Sequence, residues 1–156
     1  MEFDDLMKAF AAKYGVNDME VENGAVAIDA DGTRVELLDD APARRVLVCA
    51  EIGMAPQKAD PRLDAMMLQA NFLLRGTDGA TLCRNPETGA CAIVQPLAFV
   101  EADAESLGAV VESLVTQAEH WRKVADGLGT AETERAAKET SDATHHDHLA
   151  RGFLHV

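Results

Sequence analysis

The sequence predicts an α+β domain with the element order α-β-β-β-α-β-β-α. Three observations predict it. Apolar residues recur at helical spacing in three stretches, near residues 3–14, 61–74 and 104–128. Between them lie short runs that alternate apolar and polar side chains. Turn signals, Asp31-Gly32 and Asn85-Pro86-Glu87-Thr88-Gly89, join these runs into antiparallel hairpins.

The first helix is marked by Phe3, Leu6, Met7, Phe10 and Tyr14, with Asp4 and Asp5 in its first turn and Gly15 after it. Met19 to Glu22 is expected as a short strand. Ala25 to Ala30 follows, with Val26 and Ile28 on one face; after Asp31-Gly32, Val35 and Leu37 alternate with Arg34 and Glu36. Asp39 to Ala43 reads as a loop. Arg44 to Ile52 is apolar on both faces, Val46, Val48 and Ala50 against Leu47 and Cys49, as expected of a central strand or one that meets a partner. Gly53 to Ala59 is a link.

The central helix begins at an Asp60 N-cap with Pro61 in the first position. Gly76 to Gly79 is expected to stop it. Leu63, Met66, Met67, Ala70, Leu73 and Leu74 share one face, while Ala65, Leu68 and Phe72 lie opposite. A helix with two apolar faces needs two surfaces to cover it. One is the chain's own sheet. The other is either more of the same monomer or a second copy, and the shortness of the chain favours a copy.

Ala80–Arg84 and Ala90–Pro96 form the second hairpin. If Arg84 pairs with Ala90, Cys83 sits opposite Cys91, although two free thiols are the expected state. The last helix starts near Asp103 and carries Leu107, Val110, Val111, Leu114, Ala118, Trp121, Ala125 and Leu128 along one stripe, with Gly127 and Gly129 near its end. Trp121 reads as a core anchor. Residues 1–129 are thus one domain, and residues 130–156 a polar C-terminal tail that is partly helical at most.

Charge excludes some functions. Asp and Glu number 27 against 14 Lys and Arg, a formal net charge of −13. Such a chain is repelled by nucleic acid and by anionic lipid. No apolar run has transmembrane length, and the start MEFDDLMKAF lacks a basic region and apolar core, so a cytoplasmic protein is expected. Three cysteines without framework spacing agree with a reducing compartment.

No catalytic constellation stands out. There is no Walker-type phosphate loop, no G-x-S-x-G elbow and no zinc-type spacing of Cys and His. The run His145 to His148 carries imidazoles and a carboxylate, but in a polar tail it reads as solvated. No enzyme activity, metal or cofactor is expected.

Two segments carry a family likeness: LQANFLLRGTDGATLCRNPETGACAIVQPLAF and LVTQAEHWRKVADGL. They resemble the class I type III secretion chaperones, the Tir chaperone (CesT) family. A helix with an Ala-Asn pair runs there into a Gly-rich turn and a Gly-Ala-Thr-Leu strand, and the last helix ends near a tryptophan. The matching positions are Leu68, Ala70, Asn71, Leu73, Gly76, Gly79, Ala80, Thr81 and Leu82, then Gly89, Ile93, Pro96, Leu97, Ala118, Trp121 and Leu128. The likeness covers residues 3–128; the tail departs from it.

The resemblance implies a twisted antiparallel sheet flanked by helices, in a cytoplasmic homodimer without catalysis. It implies that the dimer binds an N-terminal segment of a secreted effector and keeps it export-competent. The dimer interface would use Leu68, Phe72 and Ala65 of the central helix with Ile93 of a neighbouring strand. The effector would cover apolar positions among Val21, Val26, Ile28, Val35 and Leu37. The alternative is a small regulatory or sensory domain of the same fold with no secreted client, in which Leu149, Phe153 and Leu154 occupy the chain's own groove.

Overall fold

The computed structural model describes residues 2–17, 19–53 and 60–151, with side chains to residue 131 and at Glu134 and Arg135. The Gly53–Ala59 link, apart from Gly53, and Phe153 and Leu154 lie outside the described residues. Helix α1 spans Phe3–Tyr14. Strands β1 (Ala25–Ala30), β2 (Thr33–Asp40) and β3 (Arg45–Gly53) follow. Helix α2 is Pro61–Asn71, strands β4 and β5 are Thr81–Arg84 and Cys91–Ala98, and helix α3 is Ala104–Arg151. The five strands form one antiparallel sheet in the order β1-β2-β3-β5-β4. The expected element order is the observed one.

Local chemistry explains the boundaries. Gly15, at φ 66°, closes α1 in the left-handed conformation that glycine takes without penalty, and its N–H returns to the Ala11 carbonyl. Asp31 and Gly32, at φ 52° and 79°, make the two-residue turn whose twist suits a hairpin. The Asp60 carboxylate accepts from the Arg62 N–H at 2.9 Å, and Asp103 and Ser106 cap α3 reciprocally at 2.7 and 2.8 Å. These hydrogen bonds, led by Arg62 and Ser106 respectively, hold both carboxyls below the ordinary carboxylate range.

One core lies between the sheet and the helices. Val26, Val35, Leu37, Val46, Val48, Ala50, Leu82, Ile93 and Leu97 are buried on the inner face of the sheet. Leu107, Val111, Leu114, Val115, Ala118 and Trp121 of α3 close over them, and Phe3, Leu6, Met7 and Phe10 of α1 join the same cluster. Aliphatic burial of this kind contributes roughly 1.5–3 kcal/mol for each large side chain. Arg122 of α3 donates to the carbonyls of Ile52 and Glu51 at 2.9 and 3.2 Å, tying the helix to the end of β3.

Several expectations are corrected. Residues 19–22 form no strand beyond a single bridge, Glu22 to Ala25, because Asn23 and Gly24 turn the chain at positive φ. Asp39 and Asp40 belong to β2, and the loop shrinks to a 3-10 turn at Ala41–Ala43. Cys83 pairs with Ala92, not Cys91, so the two thiols point to opposite faces and no disulfide forms. Helix α3 does not stop at Gly127 and Gly129. A glycine costs a helix about 1 kcal/mol without ending it, and the Ala-, Glu- and Lys-containing sequence that follows propagates it to Arg151. Residues 129–151 extend the rod by about 35 Å.

Helix α2 ends early, at Asn71 rather than at Gly76. Phe72 turns extended at ψ 115°, and Leu73 and Leu74 adopt φ of 55° and 54°. Gly76 then returns against Ala70: its N–H donates to the Ala70 carbonyl at 3.2 Å, and a Cβ at Gly76 would sit 2.9 Å from the Ala70 Cα. Backbone cannot yield as a side-chain tip can. Gly76→Ala is therefore expected to lower stability by about 1–3 kcal/mol. Chemical denaturation measures this, and an unchanged midpoint would show that the turn gives way freely.

Candidate partner-binding surfaces

Among the described residues the helices cover one face of the sheet, and none covers the other. Register places Ala25, Leu38, Leu47 and Pro96 side by side across four strands of that face. Ala27, Glu36, Cys49, Val94 and Thr81 form the next row. Except for the exposed Ala27, Thr81 and Pro96, these positions are half-buried. A hollow of about 510 Å³ at the β1–β2 end is lined by Glu20, Glu22, Ala25, Ala27, Glu36 and Leu38, among others. Arg34 in the same wall pairs with Glu36 at 2.9 Å. The surface is mixed, apolar along the strand rows and charged between them.

The two edges of the sheet differ. On β4 the Asn71 side chain acts as a substitute strand: its amide donates to the Leu82 carbonyl and its carbonyl accepts from the Leu82 N–H, both at 2.9 Å. Arg84 of β4 also pairs with Asp64 of α2. This edge is closed by its neighbouring helix. On β1, Glu22 pairs with Ala25 at the start of the strand. Gly24 accepts from Asp39, so Val26, Ile28 and Ala30 turn their backbone groups to β2, and Ala27 and Asp29 turn theirs outward. Among the described residues no strand flanks that side. An outward row of backbone donors and acceptors is a template for an added strand.

The end of α2 presents a second surface. Leu68 and Phe72 are 71% and 72% exposed, Leu73 and Leu74 63% and 42%. Ala65 and Met66 are exposed beside them. The left-handed backbone at Leu73 and Leu74 costs roughly 1–2 kcal/mol for each residue. Arg75, also exposed, borders the patch.

These surfaces revise the residue assignments. Val26, Val35, Leu37 and Ile93 face the core at 2% exposure or less, so their side chains pack inside the single chain. The alternation was correctly placed, but the helices cover the face that carries these residues. Val21 is exposed and Ile28 half-buried. Leu73 and Leu74, expected on the inner face of α2, are outside it because the helix breaks at Phe72, while Met66 is exposed within the unbroken helix. The missed positions, Leu38, Leu47, Val94 and Pro96, are the alternates of the buried ones, and an apolar residue at both parities was their signal.

The thiols are muted. Burial, reinforced by the charges of Cys83, Glu36 and Glu51, pushes Cys49 up to about 11. Burial likewise raises Cys83 and Cys91. Among the described residues no group of three or more His, Cys, Asp and Glu is arranged to hold a metal. None of the described helices is long and apolar enough to cross a membrane.

The sequence model of the Tir chaperone protein (CesT) family matches residues 5–122. The chain belongs to the Tir chaperone (CesT) family. No curated protein matches it significantly. Its fold is similar to that of a chain in the HopA1–SchA chaperone–effector complex, at 19% identity and a TM-score of 0.64, covering 78% of this chain and 93% of that one. A chain in the complex of the Yersinia pestis type III secretion chaperone SycH with a fragment of YscM2 matches at 18% and 0.60, covering 75% and 97%. A chain in the ExoU–SpcU complex of the Pseudomonas aeruginosa type III secretion system matches at 14% and 0.59, covering 73% and 93%. In this Tir-chaperone-family chain, side chains of the α2–β4 junction hold the turn together. Asn71 holds the β4 edge, Gly76 fits against Ala70, and Thr77 is buried, its hydroxyl donating to the Ala80 carbonyl.

Cys49 is therefore expected to react with an aromatic disulfide reagent at neutral pH far more slowly than a free cysteine, because its thiolate fraction is about a hundredfold lower. Labelling followed by peptide mapping measures this, and rapid labelling of Cys49 would show an ionised thiol.

Proposed function

We propose that this chain is a type III secretion chaperone that acts as a homodimer. It binds the N-terminal segment of a secreted effector and keeps that segment extended for export. The observation that carries the reading is the family match over residues 5–122. Two surfaces support it. The open β1 edge, beside the hollow at Glu22, Ala27 and Leu38, suits an extended chain that adds as a strand and sets apolar side chains along the sheet. Ordering that chain is costly, so the contact must be long, and a strand edge continuous with an open sheet face provides length. Val21 and Ile28 lie next to this edge.

The apolar end of α2 supports the dimer. Ala65, Leu68 and Phe72 are exposed apolar side chains on one face of α2, the kind of surface a partner covers. Localisation in the cytoplasm belongs to the same reading, because an effector must be held before it leaves the cell. No catalytic step is part of it.

Two measurements test the proposal. Light scattering after gel filtration should give a dimer for the unmutated chain. Leu68→Glu and Phe72→Glu should each weaken association by about 2 kcal/mol or more. An unmutated chain that stays monomeric at high concentration would count decisively against the homodimer. For the client, the tagged chain is purified from a host with active secretion, and its bound proteins are mapped by limited proteolysis. A partner protected only in its N-terminal segment is the expected result. Recovery of the chain alone would remove the export reading.

A further inference from the structure

The free edge at β1 lies in the most acidic part of the chain. Residues 14–43 hold eight of the 27 carboxylates and one cation, Arg34, so they carry −7 of the formal −13. Residues 85–121 hold six carboxylates and no Lys or Arg. That second run lies on the β4–β5 turn, β5 and α3, where a strand paired on both sides and a helix satisfy their own backbone. Among the described residues, surplus charge and an open strand edge coincide only in the first run.

Register fixes where this charge falls. Ala27 and Asp29, whose backbone groups turn outward, place their side chains on the open face of the sheet. Residues directly opposite each other in paired strands share a face. On an added strand, the residues opposite Ala27 and Asp29 therefore also look to the open face. There they meet Asp29 itself and the wall of the hollow, with Glu20, Glu22 and Glu36. The Arg34 guanidinium is engaged by Glu36 at 2.9 Å. Glu20, Glu22 and Asp29 are exposed and form no ion pair among the described residues. The other parity of the added strand looks to the inner side, beside half-buried Ile28 and Ala30, which pack against the core.

We propose that the segment added to β1 alternates Lys or Arg with apolar residues, its cations toward the open face and its apolar side chains toward Ile28 and Ala30. The inference rests on the export-chaperone reading above and names the chemistry of the client. Backbone pairing alone accepts any extended chain. Carboxylates at one parity add selection. They favour an alternating basic segment, repel an acidic one, and penalise a basic segment whose spacing turns its cations to the apolar side. They also keep the β1 edges of two copies apart, so the edge stays open for a client.

Fluorescence anisotropy with labelled synthetic peptides tests this at physiological ionic strength. The probes are a repeating Val-Lys peptide, a repeating Val-Val-Lys-Lys peptide of the same length and composition, and a repeating Val-Ser peptide. The Val-Lys peptide should bind at least about tenfold more tightly than either of the others. Glu22→Gln combined with Asp29→Asn, which keeps an acceptor for the Gly32 N–H, should weaken that binding at least about fivefold. Glu112→Gln combined with Glu119→Gln removes as much charge from the exposed side of α3 and should leave it level. A Val-Lys peptide that fails to bind, or binds no better than either of the others, would overturn the inference. So would an equal loss in the two double variants, because the attraction then belongs to the whole acidic chain. A client protected in its N-terminal segment but lacking the alternation defeats this inference and leaves the export reading standing. Recovery of no client defeats the export reading itself.

Discussion

A strand shows alternate residues to opposite faces of its sheet, and here the helices cover only one of them. Most of the structure follows from that asymmetry. Val35, Leu37, Val46, Val48, Ala50 and Ile93 are held in the core because α1 and α3 lie over their parity. Leu38, Leu47, Cys49 and Val94 are left half-buried on the other parity because nothing in the described chain covers it. A slip of one residue in any strand would exchange the two sets. Register is thus pinned by burial on the inner face, and the outer face inherits a fixed row of apolar positions without having to stabilise the fold.

The edges of the sheet complete the picture. A sheet with two free edges invites aggregation. On β4 the amide of Asn71 occupies the donor and acceptor of Leu82, and α2 is bound there again through Arg84 and Asp64. Among the described residues only Ala25 is engaged on the outer side of β1, by Glu22. One edge is closed by the chain itself and the other is free along Ala27 and Asp29. Asn71 has a further consequence: its side chain can reach Leu82 only if the helix ends beside β4, so edge protection and the break in α2 occur at one place.

Acidity works across the whole molecule. A net charge of −13 keeps copies apart and shields apolar rows from casual contact. The end of α2, residues 65–77, is one of several runs without a carboxylate, with residues 41–50 and 88–100. Specific contact there must supply its own apolar burial, and Leu68, Phe72, Leu73 and Leu74 offer it.

By itself the sequence determined the elements and their order, because periods of 3.6 and 2 are local properties of the chain and turn residues such as Asp31-Gly32 act locally. It also determined the family, through matching positions spread from Leu68 to Leu128. Tertiary structure alone decided which strand parity is core, since alternation cannot say where the helices lie. Val26, Val35, Leu37 and Ile93 were for that reason legible as apolar but not as buried. It decided the end of α2, where a long-range bond from Asn71 to Leu82 and the close approach of Gly76 to Ala70 override a helical pattern that runs to Leu74. And it decided the length of α3, because whether two glycines stop a helix depends on what is gained beyond them.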